Sequence, residues 1–129
     1  MNNPVVYVFL NKSLHMSTGK AAAQATHAAM QVSRVVENFS AIWNDVAQRT
    51  VIVLEARDEN HMRAIQDYLF ERGFDNHRII DEGVNEIDPH TITDLATEIL
   101  EKDDEDVVKT FSSFSLYRDT IKLTLELDR

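Results

Sequence analysis

The feature that most constrains this chain is an unbroken apolar run near its start, Val5 to Leu10 (VVYVFL), rich in β-branched and aromatic residues. Such a run reads as a strand buried on both faces, which calls for packed layers above and below it. At six residues it is too short for a membrane span, and no basic segment precedes it as in a signal peptide. The next segment, Asn11 to Gly19, is polar and reads as a loop.

From Gly19 or Lys20 to about Asn38 the residues favour helix, with Ser17 or Thr18 available as N-cap and no proline inside. Ala21, Ala25, Ala28, Val32, Val35 and Val36 recur at helical spacing, and the alanines allow close approach to a sheet. Phe39 to Thr50, which holds Trp43, reads as a short helical or irregular segment, and Val51 to Ala56 (VIVLEA) as a second strand. Asp58 and Glu59 open a helix with Met62, Ile65, Leu69 and Phe70 on its apolar positions and Gly73 as its stop. Arg78 to Asp81 reads as a third strand and Thr91 to about Leu100 as a fourth. The acids Glu101 and Asp103 to Asp106 either cap and solvate a short helix over Val107 to Phe111, since carboxylates are favoured near a helix N-terminus, or form a partner-binding acidic tract. Ile121, Leu123, Leu125 and Leu127 alternate with polar residues, the pattern of a half-buried strand that either adds an edge to the sheet or forms an oligomer contact.

Strands alternating with helices imply crossover units. The expected fold is therefore α/β, a mixed sheet of four strands with a possible fifth at the C-terminus, flanked by helices in three layers. Residues 1–129 form one domain in this reading, of a size that suits a single core. Ligand sites in such folds lie beyond the carboxyl ends of strands. Here those are the loop after Leu10, the helix start near Lys20, and the stretch after Asp81.

The formal net charge is -9, from 13 basic and 22 acidic residues, which taken whole argues against a polyanionic partner. The distribution is uneven: residues 1–50 carry Lys12, Lys20, Arg34 and Arg49 against Glu37 and Asp45, and the remaining acid lies later. With no cysteine, disulfides, thiolate nucleophiles and Cys-based zinc sites are excluded. The five histidines show no metal-ligand spacing, so no metal or other cofactor is expected. A cytoplasmic location is the default for such a chain.

Ser17-Thr18-Gly19-Lys20 before a helix suggests a phosphate loop, but Leu14 and Ala21 stand where the Walker pattern needs Gly and Ser or Thr. A lysine at a helix N-terminus still attracts an anion. Lys20, Gln24, His27, Gln31 and Arg34, spaced by 4, 3, 4 and 3, form one polar stripe that either lines a site or is simply solvated. Asp81 at a strand end, with the hydroxyls of Thr91 and Thr93 on one face of the next strand, makes a second polar cluster.

Together these segments resemble the peptidyl-tRNA hydrolases of the second class, the archaeal and eukaryotic type. Leu14, Met16, Gly19, Lys20, Ala23, Gln24, His27 and Ala28 match one block of the family pattern, and Asp81, Gly83, Ile87, Pro89, Thr91, Thr93, Leu95 and Ala96 match a second. The likeness covers roughly Pro4 to Tyr117, leaving 118–129 as an extension. Ser13 and His15 depart from the acidic and basic residues usual there, and Glu82, Asn85, Glu86 and His90 depart in the second block.

The resemblance implies a homodimer that hydrolyses the ester joining a peptide to the 3′-terminal ribose of tRNA. It assigns Lys20, Asp81 and Thr91 to catalysis, with Gln24 and His27 as supporting positions on the same helix; Gly19, Arg34 and Thr93 are further substrate-binding candidates beside them. Water is then the nucleophile, because no cysteine exists and no serine stands in a recognisable triad. A second reading, suggested by the acidic departures Glu82, Glu86 and Asp88, is a binding or regulatory module on the same fold, or an enzyme for another small ester or amide.

Overall fold

The computed structural model describes residues 3–35, 50–81 and 91–118. Its centre is strand β1 (Pro4–Asn11), all eight of whose residues are buried, as the apolar run requires. Strand β2 (Thr50–Ala56) pairs with β1 in parallel, from Val5↔Thr50 to Asn11↔Ala56. On its other side β1 pairs antiparallel with β4 (Thr91–Thr97), which pairs antiparallel with β3 (Asn76–Asp81). The sheet order is β2-β1-β4-β3, with a two-residue β5 (Leu100–Glu101) pairing Pro4 and Val5. The sheet is thus mixed, as expected, but the fifth strand observed is Leu100–Glu101. The alternating segment Ile121 to Leu127 lies outside the described residues, as does the Trp43 segment.

The alternation of β1 divides the core in two. Val6, Val8 and Leu10 pack with Met16, Ile79, Ala96, Ile99 and the inward residues Ala21, Ala28 and Val32 of helix α1 (Thr18–Val35). Val5, Tyr7 and Phe9 pack on the opposite face with Met62, Ile65 and Leu69 of α2 (Glu59–Glu71) and Val107 and Phe111 of α3 (Glu105–Phe111). The result is three layers, α1 over one face and α2 with α3 over the other. Each large apolar side chain so buried contributes roughly 1.5–3 kcal/mol against the cost of ordering the chain.

Helix ends follow their capping residues. The Ser17 hydroxyl accepts the Lys20 N–H (3.2 Å) and so caps α1. Asp58 accepts the His61 N–H (2.7 Å) at the start of α2. Asp104 accepts the N–H groups of Asp106 (3.0 Å) and Val107 (3.3 Å), so the later part of the acidic run serves as a helix start, the helix beginning at Glu105, while Glu101 lies in β5. Gly73 ends α2 at φ +83°, with Gly73 N–H bonded to the Phe70 carbonyl and Phe74 N–H to that of Leu69. That pair of bonds is a Schellman closure.

Two expectations need correction. Phe70 is 49% exposed, while Gln66 is buried in its stead. At 100° per residue Phe70 falls about 80° round the helix from Met62, beyond the stripe that Met62, Ile65 and Leu69 share. Gln66 sits nearer that stripe, with its amide bonded to Asn76 (3.0 Å) and accepting from Arg78 (2.7 Å). The fourth strand does not run unbroken to Leu100 but stops at Thr97. There the Thr97 hydroxyl accepts the Tyr7 N–H (3.0 Å) and takes the place of a rung of the ladder, before pairing resumes at β5.

Beyond α3 the chain returns along the outer side of β2. Glu55 N–H donates to the Ser115 carbonyl and Tyr117 N–H to the Val53 carbonyl, both at 3.0 Å, bracketing a Leu54↔Leu116 bridge.

Candidate active site

The carboxyl end of β1, the start of α1 and the adjoining ends of β3 and β4 converge, because α1 follows β1 after one short turn and β4 lies next to β1. The turn is a 3-10 segment, Lys12–Leu14, closed by His15 at φ 49°. From there Met16 inserts into the core and Ser17 caps α1, bringing Lys20 to the helix's first turn. Lys20 is neither buried nor fully exposed.

The polar stripe on α1 does not act as one surface. Gln24 is 5% exposed and faces the sheet, where its Oε1 accepts the Thr93 hydroxyl (3.1 Å). His27 is exposed, with its Nε2 3.3 Å from the Gln31 amide nitrogen. Arg34 stands fourteen residues after Lys20, about 21 Å along the axis at 1.5 Å per residue, so helix geometry separates these two bases.

On the sheet, Asp81 and Thr91 are direct cross-strand partners at the ends of β3 and β4. Two residues further along β4 the register shifts: Ile80 pairs with Ile92 but Ile79 pairs with Asp94, leaving Thr93 as the extra residue of a β-bulge. Ile92 belongs to the core under α2, whereas Thr93 bonds to Gln24 of α1. Asp94 pairs with Leu10 and Ile79, both in the core under α1. The bulge therefore turns two successive polar residues, Thr93 and Asp94, toward α1, and both are 0% exposed.

Sequence reasoning missed two residues at this end of the sheet. One is Asp94, hidden because a period-two strand pattern assigns Thr93 and Asp94 to opposite faces. The other is Asn11, 1% exposed, whose Oδ1 accepts the Ser13 N–H (3.1 Å) and hydroxyl (2.7 Å) and whose Nδ2 donates to the Ile92 carbonyl (3.4 Å). An asparagine closing an otherwise apolar strand was the available signal. Lys12, the next base in the loop, is engaged by Glu55 at 3.2 Å.

Two groups with displaced proton affinities lie on the other face of the sheet, under or on α2. Burial raises the Tyr7 phenol, and burial with the Arg57 charge lowers His61, partly opposed by Asp58. Among the described residues no cluster of three or more His, Cys, Asp or Glu could hold a metal ion, and no helix is long and apolar enough to cross a membrane.

The mixed sheet thus places the Lys20-bearing start of α1 and the Asp81↔Thr91 strand pair at the same end of the fold. Residues 5–117 match the family model "Peptidyl-tRNA hydrolase PTH2", and the chain belongs to that family. It is 32% identical over 93 residues to a peptidyl-tRNA hydrolase of Thermoplasma acidophilum, covering 67% of this chain and 76% of that protein. A peptidyl-tRNA hydrolase of Thermococcus onnurineus is likewise 32% identical over 91 residues, with the same coverage of both. A solved structure of a protein of unknown function from Agrobacterium tumefaciens shares the fold, with TM-score 0.54 and 14% identity over 92% of this chain and 100% of that one.

Proposed function

We propose that this protein hydrolyses the ester between peptide and tRNA in peptidyl-tRNA, with water as nucleophile. The observation that carries the reading is the Asp81↔Thr91 pair at the strand ends, beside a helix start that holds Lys20. Asp81 orients and deprotonates the water, a role worth typically 10²–10⁴ in rate. Lys20 holds the terminal phosphate or the oxyanion that develops at the ester carbonyl, for which one donor is commonly worth roughly 3 kcal/mol. Thr91 hydrogen-bonds the ribose or the water, and Gly19 lets the phosphate approach the helix N-terminus. Gln24 holds Thr93 in register, and His27 and Arg34 extend the contact along α1 toward the tRNA. The enzyme needs no cofactor, acts in the cytoplasm as a homodimer, and comprises one domain over 1–129 with 118–129 beyond the family match.

Hydrolysis of an N-blocked aminoacyl-tRNA tests the reading. Asp81→Ala and Lys20→Ala are each expected to lower kcat/KM by about 10² or more, in line with loss of a base or an oxyanion donor. Unchanged turnover in either folded variant would overturn that residue's role, and sedimentation of the free protein tests the homodimer.

A further inference from the structure

We propose that Asn11 is a positioning residue of this site, setting the height of the α1 start over β4; this role rests on the hydrolytic reading of the site. The backbone ladder between β1 and β4 runs through Val8↔Ala96, Phe9↔Leu95 and Leu10↔Asp94. Asn11 would meet Thr93 next, but Thr93 is the extra residue of the bulge. The amide of Asn11 spans that break, donating from Nδ2 to the Ile92 carbonyl at 3.4 Å.

The same side chain holds the turn that leads to α1. Its Oδ1 accepts from both the backbone N–H of Ser13 (3.1 Å) and the Ser13 hydroxyl (2.7 Å). Two donors on one oxygen fix the orientation of the amide, since a flipped group would point its own N–H at theirs. Asn11 is 1% exposed, so water does not replace these bonds.

Asn11 thus joins three pieces: the end of β1, the turn before Lys20, and the β4 carbonyl between Thr91 and Thr93. The Gln24–Thr93 bond ties α1 to β4 a second time, one helical turn beyond Lys20. Two ties to one strand fix both the height and the tilt of the helix start. Misplacement of a catalytic group by about 1 Å costs on the order of 10² in rate, so a residue remote from substrate acts on turnover through this spacing.

Asn11→Asp separates positioning from size. It keeps the acceptor for Ser13 but sets an oxygen against the Ile92 carbonyl. With N-blocked aminoacyl-tRNA, kcat is expected to fall tenfold or more while KM stays within threefold. Amide hydrogen exchange is expected to quicken at Lys20 and Thr93 but not at Leu69 in α2. Ser13→Ala, which removes only the hydroxyl bond, should show a smaller kcat loss of two- to fivefold and the same local exchange pattern, and it serves if the first variant fails to fold. A kcat within twofold of the parent in folded Asn11→Asp would overturn the proposal, as would exchange that quickens equally at Leu69. If the parent protein itself failed to turn over, the hydrolytic reading would fall, and selective exchange at Lys20 and Thr93 would still decide whether Asn11 holds α1 to β4.

Discussion

Gly73 turns the chain out of α2 at φ +83°, a backbone region that costs a side-chain-bearing residue about 1–2 kcal/mol. Nothing stands within 4 Å of where a Cβ would sit, so Gly73→Ala isolates the backbone cost from any clash. The substitution is expected to lower stability by about 1 kcal/mol in urea unfolding, with no change in turnover. At the other end of α2, His61 Nδ1 accepts the Arg57 N–H (2.9 Å), which requires the neutral ring. Its affinity for a proton is below the usual 6.5 in the fold, so the unfolded chain binds that proton more tightly. The contribution of His61 is therefore full above pH 6.5 and is lost as pH falls through 6.5 toward the lowered folded value. Relative to the parent, His61→Gln should lose less stability between pH 7.5 and 5.5 in denaturant midpoints; equal losses would dismiss the effect. Gly73 and the capping acids were legible in sequence because each answers to one local rule. Asn11 and Asp94 were not, since their roles depend on a neighbouring strand's register.

Helix α3 is seven residues long and owes its place to packing rather than propensity. Phe111 stacks on Tyr7 at 4.0 Å between ring centroids, planes 3° apart, and meets Phe74 edge-on at 5.6 Å. Phe111→Ala is expected to cost about 3–5 kcal/mol, measured as a lowered thermal midpoint, because neighbouring rings cannot close the space. Elements with strong local signals were readable in isolation, β1 from its unbroken apolar run and the first two helices from periodicity with their caps and stop. Their lateral order was not, and neither was the split of β4 from β5, where a side-chain hydroxyl at Thr97 stands in for a backbone carbonyl. Phe70 was misread for a related reason: apolar type was weighed without the 100° step that carries it off the buried stripe. In the candidate site, Lys20, Asp81 and Thr91 came from a family pattern, whereas the burial of Gln24 and the bulge at Thr93 are tertiary facts that no single window of sequence contains.

Taken as a whole, the molecule carries net charge -9, so attraction to a polyanion is confined to a few bases. Lys12 is paired with Glu55, and phosphate recognition is proposed to rest on Lys20 at the α1 start. Each phosphate contact to single-stranded nucleic acid contributes a slope of about 0.7 in log affinity against log salt. A slope of magnitude about 1–2 is expected for KM in a salt titration, and a slope near 5 would mean a broad tRNA footprint in place of a local one. The short return of the chain along β2 has a different consequence. Ser115 and Tyr117 occupy the outward backbone groups of Glu55 and Val53, next to Val51, which is 41% exposed. Unpaired strand edges of this kind template the addition of strands from other molecules. Three residues of the strap therefore act as a guard against fibrous self-assembly, and a chain cut after Phe114 would offer β2 as a seed for it.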